Sequence, residues 1–90
     1  KIKSMLKVLK FSASWCGPCK QLAPIFEQVK STVDGVTFQE VDVDAESALA
    51  IQYKVRGVPT IVIEKNGQEL KRIVGGTTQA VLTSTINSFK

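Results

Sequence analysis

Two cysteines occur in this chain of 90 residues, three apart in Trp15-Cys16-Gly17-Pro18-Cys19, directly after an apolar, strand-like stretch. If Cys19 sits one helical turn after Cys16, the two thiols can close a small disulfide ring, and the pair can carry two electrons and two protons. Cys-x-x-Cys beside a strand-helix-strand pattern is a redox signature. Two other uses of such a pair compete with it. A purely structural bridge across two intervening residues restricts the unfolded chain little, so its stabilising value is small. Zinc needs four ligands, usually Cys or His, whereas the chain supplies two cysteines and no histidine, leaving only a metal or cluster shared across a dimer. The absence of histidine also removes Ser-His-Asp and Cys-His catalysis. No resident metal is expected.

The thiols need a strand to deliver them and a helix to hold them. Met5 to Ala13 reads as a strand, with Leu6, Val8 and Lys10 on one face and Leu9 and Phe11 on the other. Apolar residues on both faces suit a central strand. A helix is expected from about Cys16 to Val33, because Leu22, Phe26, Val29 and Val33 recur at helical spacing and Asp34-Gly35 ends it. Pro24 inside it predicts a kink. Val36 to Val43 alternates as a second strand, and a short helix fits Ala45 to Tyr53, capped by Asp44. Thr60 to Glu64 is a β-branched run, and Asn66-Gly67 is a strong hairpin signal that returns the chain through Leu70 to Val74. Thr77 is placed to cap a last helix whose Leu82, Ile86 and Phe89 form one apolar stripe.

The order is βαβαββα. Two parallel strands joined by a right-handed crossover, plus an antiparallel hairpin, make a four-stranded mixed sheet flanked by helices, an α/β fold. With 43% apolar residues, the chain suits a single domain over residues 1–90. It has no apolar stretch of about eighteen residues or more, and its lysine-rich start lacks the apolar segment of a signal peptide. A soluble, cytoplasmic protein with no membrane partner is expected. The net charge of +4 arises from 12 basic and 8 acidic residues scattered along the chain. That pattern reads as a solvated surface, and without a basic run interleaved with aromatics no nucleic-acid partner is expected.

An ordered set of motifs spans nearly the whole chain: Trp15 to Cys19 with Lys20 behind, Ala23-Pro24, Asp42-Val43-Asp44, Tyr53 to Thr60, Lys65-Asn66-Gly67 and Val74-Gly75-Gly76. In these the chain resembles the thioredoxin family, in a shortened version without the strand and helix that many members carry before the strand starting near Met5. The resemblance implies a monomer that reduces disulfide-containing proteins through a Cys16-Cys19 couple. It would bind no cofactor and would draw electrons from NADPH through a flavin-dependent thioredoxin reductase. It also implies that Val58-Pro59 is a cis peptide facing the cysteines, with the Val58 backbone pairing with a substrate strand. Read from the residues alone, Pro59 could equally open an edge strand in the trans form.

A cysteine in the first turn of a helix meets unpaired N–H groups and the positive end of the dipole, which favour its thiolate. Cys16 is therefore the expected nucleophile, and Cys19, one turn further in and more enclosed, the resolving thiol. Gly17 permits close approach of a partner, and Pro18 suits an early helical position. Neither stabilises a thiolate by charge, which favours a reductant over a disulfide donor. Trp15 would flank the reactive sulfur as an apolar lip, and Gly75 would join Trp15 and Val58 in the surface that meets a partner.

The chain departs from the family six positions before Cys16, where Lys10 stands in place of the usual buried aspartate, and on the next strand, where Glu40 takes the place of the usual lysine. The alternation independently puts both on largely apolar faces of adjacent strands, where each charge needs the other. Glu40, held by Lys10, is the expected proton acceptor for Cys19; the alternative has Lys10 snorkelling to the surface and Glu40 solvated. Ser12 replaces a tryptophan common in the family and leaves that flank more open. Two other functions remain: a redox-independent binding subunit using the same surface, and a glutaredoxin-like, glutathione-dependent reductase.

Overall fold

The computed structural model describes residues 6–90, so Met5 lies outside the described residues. Strand β1 (Leu6–Ser12) leads into helix α1 (Gly17–Thr32), strand β2 (Thr37–Asp42), helix α2 (Ser47–Gln52), strands β3 (Thr60–Lys65) and β4 (Gln68–Val74), and helix α3 (Gln79–Ser88). The expected βαβαββα order is observed. The sheet order is β2-β1-β3-β4, with β1 parallel to β2 and antiparallel to β3, and β3 antiparallel to β4.

The alternation in β1 divides the core in two. Leu6 and Val8 point to the face covered by α1 and α3, packing with Leu22, Phe26, Val29, Ile61, Ile63, Leu82 and Ile86. Leu9 and Phe11 point to the α2 face, where Val41, Ala50 and Val62 complete a second core flanked by Tyr53 and Val55. Burial of β1 on both faces is what a central strand requires. The β3–β4 turn carries Asn66 and Gly67 both at positive φ, 54° and 83°, the left-handed pair that matches the twist of a two-residue hairpin. Helix α1 runs as one element through Pro24, whose missing N–H leaves the Lys20 carbonyl without its helical partner.

Two helix starts differ from expectation. Asp44 does not cap α2: the helix begins at Ser47, two residues after the expected Ala45, and its N-cap Glu46 makes no side-chain capping bond. The Asp42 carboxylate takes the N–H groups of Asp44 and Ala45 at 2.9 and 3.3 Å, holding residues 43–46 in turns. Helix α3 is capped by Thr78 rather than Thr77, its hydroxyl oxygen accepting from the Val81 N–H at 3.1 Å. The two threonines are adjacent and equally suited by type, so residue type does not decide between them.

Candidate active site

The path from β1 to α1 builds the site. After Ser12 the chain turns at residues 14–15, the Cys16 N–H bonds the Ala13 carbonyl at 3.2 Å, and Cys16 becomes the N-cap of α1 with extended backbone angles. A helix start leaves N–H groups without intrahelical partners, and here a sulfur takes the role usually played by a serine or aspartate oxygen. Cys16 Sγ accepts the Cys19 N–H at 3.1 Å. The same donor would favour a thiolate at Cys16 over a neutral thiol. Pro18, in the first turn, needs no N–H partner there.

Cys16 and Cys19 are joined as a disulfide with their Cα atoms 5.2 Å apart. Both are buried, at 5% and 4% exposure, so Cys19, expected to be the more enclosed, is covered no more than Cys16 in the oxidised pair. The reason is a shared cover: Ala13, Cys16 and Cys19 form a small apolar cluster of their own against Val43 and Val58. Position separates the two sulfurs instead. Cys16 Sγ receives the helix N–H and lies 3.7 Å from the Val58 carbonyl oxygen, a contact that the reduced thiol can make as a donor.

The loop opposite is held from both sides. The Val58–Pro59 peptide is cis, as the resemblance implies, and Pro59 is buried. The Thr60 hydroxyl donates to the Gly57 carbonyl at 2.6 Å, and the Gly75 N–H donates to the Pro59 carbonyl at 2.8 Å. Gly75 has φ 92°, a region an L-residue rarely adopts, which lets the end of β4 fold in against Pro59. Between this loop and Trp15 lies a cleft of about 150 Å³ lined by Trp15, Val43, Val55, Arg56, Gly57 and Val58. Trp15 is 69% exposed, and its indole N–H donates to Asp44 Oδ2 at 2.9 Å. Val58 thus meets Cys16 directly and shares the cleft with Trp15, Gly75 is bonded to Pro59 behind it, and Gly17 and Pro18 are exposed at the head of α1.

Lys10 and Glu40 are register partners on β1 and β2, and Lys10 Nζ lies 3.3 Å from Glu40 Oε1. The pair is lopsided. Lys10 is 4% exposed and does not snorkel; its ammonium lies 5.1 Å from the centre of the Phe26 ring. The Glu40 side chain is 42% exposed and also approaches Lys30, at 4.0 Å. Partial burial pushes the Glu40 carboxyl up, but the charges of Lys10 and Lys30 and the hydrogen bonding around it outweigh that and hold it below the usual carboxylate range. A second cavity, of about 220 Å³, lies on the Cys19 side and is lined by Lys10, Ser12, Ser14, Cys19, Lys20 and Asp42 among others. Glu40 does not line it.

Asp42 and Asp44 are the site residues whose contacts sequence reasoning did not assign. Their signal was positional: Asp42 ends a parallel strand and Asp44 follows it, at the carboxyl end where open α/β sheets place their binding crevices.

Among the described residues there is no group of three or more His, Cys, Asp or Glu that could hold a metal ion, and no helix is long and apolar enough to cross a membrane. The thioredoxin family model matches residues 1–88. Thioredoxin H2-1 of Oryza sativa is 41% identical over 85 residues, covering 94% of this chain and 61% of the rice protein. Thioredoxin of Chlamydia pneumoniae is 38% identical over 86 residues, covering 96% of this chain and 84% of its own length. The X-ray structure of Fasciola hepatica thioredoxin superposes with a TM-score of 0.89 at 39% identity, over 98% of this chain and 84% of that one. A family match of that extent, with relatives this similar in sequence and in backbone, means that the chain belongs to the thioredoxin family of protein-disulfide oxidoreductases.

Proposed function

We propose that this protein reduces disulfide bonds in other proteins. The observation that carries the reading is Cys16 Sγ at the head of α1, accepting the Cys19 N–H and facing the Val58 carbonyl. Cys16 is the nucleophile and Cys19 the resolving thiol. An extended substrate segment lies along the Val58 backbone, between the Trp15 ring and the Gly17-Pro18 edge, with Pro59 and Gly75 closing the far side. Lys10 and Glu40 act beneath Cys19 as one charged unit.

No cofactor needs to bind. The disulfide itself carries the electrons, which come from NADPH through a flavoprotein reductase. A dithiol that must be returned to its reduced state suits a reducing compartment, and the cytoplasm is the proposed location, with the protein working there as a monomer.

The test is turnover of a disulfide-bonded protein substrate, with NADPH and thioredoxin reductase in one arm and glutathione with its own reductase in the other. Turnover in the first arm is expected, none with Cys16→Ser, and with Cys19→Ser a trapped adduct at Cys16 visible by mass. Substrate reduction by the Cys16→Ser, Cys19→Ser double variant would overturn the reading; partner binding without turnover by the native chain would favour the redox-independent alternative.

A further inference from the structure

The groups facing the Cys19 cavity have an unusual balance of charge. Lys10 comes from β1, Lys20 from α1 and Asp42 from the end of β2, with Ser12 and Ser14 supplying neutral hydroxyls. Lys20 and Asp42 are exposed, so water screens them, whereas Lys10 is 4% exposed and acts through a medium that screens poorly. Asp42 is further engaged by the N–H groups of Asp44 and Ala45, both of which its Oδ1 accepts. Glu40 stands behind Lys10, outside the cavity, drawn toward Lys30 and adjoining Glu27. The one buried charged residue that lines this cavity, Lys10, is a cation.

We infer that the Lys10 ammonium stabilises the thiolate of Cys19 when that sulfur resolves the mixed disulfide, so that the second chemical step of this chain depends on a buried cation where a carboxylate base was expected. The inference rests on the disulfide-reductase reading. With Cys16 bonded to a substrate sulfur, the Cys19 thiol releases its proton to solvent through the open side of the cavity. Its thiolate attacks Cys16 Sγ, the Cys16–Cys19 bond forms, and the bond from Cys16 to the substrate breaks. The electron pair leaves with the substrate sulfur, which takes up a proton. The two cysteines are together oxidised by two electrons, and the substrate disulfide is reduced to two thiols. Lys10 neither gives nor takes a proton. Glu40 keeps the ammonium from being buried without a counter-charge.

Cys19 acidity is read directly in the Cys16→Ser variant, from the pH dependence of its alkylation by a small iodoacetamide reagent. No protein substrate is involved, so failure of the reductase reading leaves this measurement intact. Adding Lys10→Met is expected to raise the alkylation midpoint by about one pH unit or more, the scale on which a neighbouring charge acts, and Lys10→Arg to restore it. In the otherwise native chain, Lys10→Met should slow resolution of a mixed disulfide at neutral pH about tenfold, following the loss of thiolate. If Lys10→Met does not fold, the Lys10→Met, Glu40→Met pair removes both charges with similar volume and carries the same expectation. A midpoint that stays in place or falls in a folded Lys10→Met or paired variant overturns the proposal, since a merely structural lysine would not move the acidity of Cys19.

Discussion

The indole N–H of Trp15 and the Oδ2 atom of Asp44 meet at 2.9 Å across 29 residues of sequence, fixing a ring that is otherwise 69% exposed. Asp44→Ala is expected to raise KM for protein disulfides about fivefold, the equivalent of about 1 kcal/mol for one hydrogen bond, with kcat and the thermal midpoint nearly unchanged. Trp15 is the single tryptophan, so its fluorescence anisotropy should fall in the same variant.

Tyr53 is likewise the single tyrosine, and its hydroxyl donates to Glu64 Oε1 at 2.9 Å. Burial, then the hydrogen bond and charge of Glu64, push the phenol above its ordinary range. A raised folded-state value means stability that is present below the ordinary tyrosine pKa and lost as pH rises through the folded one. Tyrosinate absorbance should therefore develop at a higher pH in the folded protein than in denaturant. Glu64→Gln should narrow the gap between the two curves without closing it, because burial of the phenol remains.

Glu40 has the opposite sign. Its carboxyl is held below the usual range, so its contribution to stability is present above the ordinary carboxylate pKa and is lost as pH falls through the folded-state value. Glu40→Gln should flatten the acid limb of a stability-against-pH curve. Because Glu40 is only partly covered, the difference should shrink as salt is added.

The start of α3 distinguishes two neighbouring threonines. Thr78→Ala removes the acceptor for the Val81 N–H and should cost about 1 kcal/mol of stability. Thr77→Ala should be nearly neutral in the same denaturant titration, since Thr77 is not the cap.

Phe26 is fully buried, meets Phe38 edge-on with ring centres 5.7 Å apart, and lies under the Lys10 ammonium. Phe26→Ala should destabilise the fold by about 3–5 kcal/mol, the range for emptying an aromatic site in a packed core. It should also reduce activity in the fraction that remains folded, because the ring supports Lys10 as well as the core.

Much of this was legible from residue order because the relevant physics is local. The strand, turn and helix around Cys16 follow from β-alternation, then helical spacing, then a proline acceptable in a first turn. Lys10 and Glu40 were legible as a pair because a period of two assigns each to a face and parallel pairing sets them side by side. Their unequal depth was not: it depends on Phe26 covering Lys10 while β2 lies at the edge of the sheet. The Trp15 tether was hidden for a similar reason. Asp44 is as good a helix cap as any aspartate, and only the way Asp42 gathers the following N–H groups frees it for another partner.

The two sulfurs occupy an apolar compartment of their own with Ala13, Val43 and Val58, beside the two larger cores rather than within either. A bond closing so short a loop changes the freedom of the unfolded chain very little. Endurance and reactivity are therefore assigned to different sets of atoms in this molecule. In the proposed cycle one covalent bond is made and broken each time, and neither of the two larger cores contains either of its sulfurs.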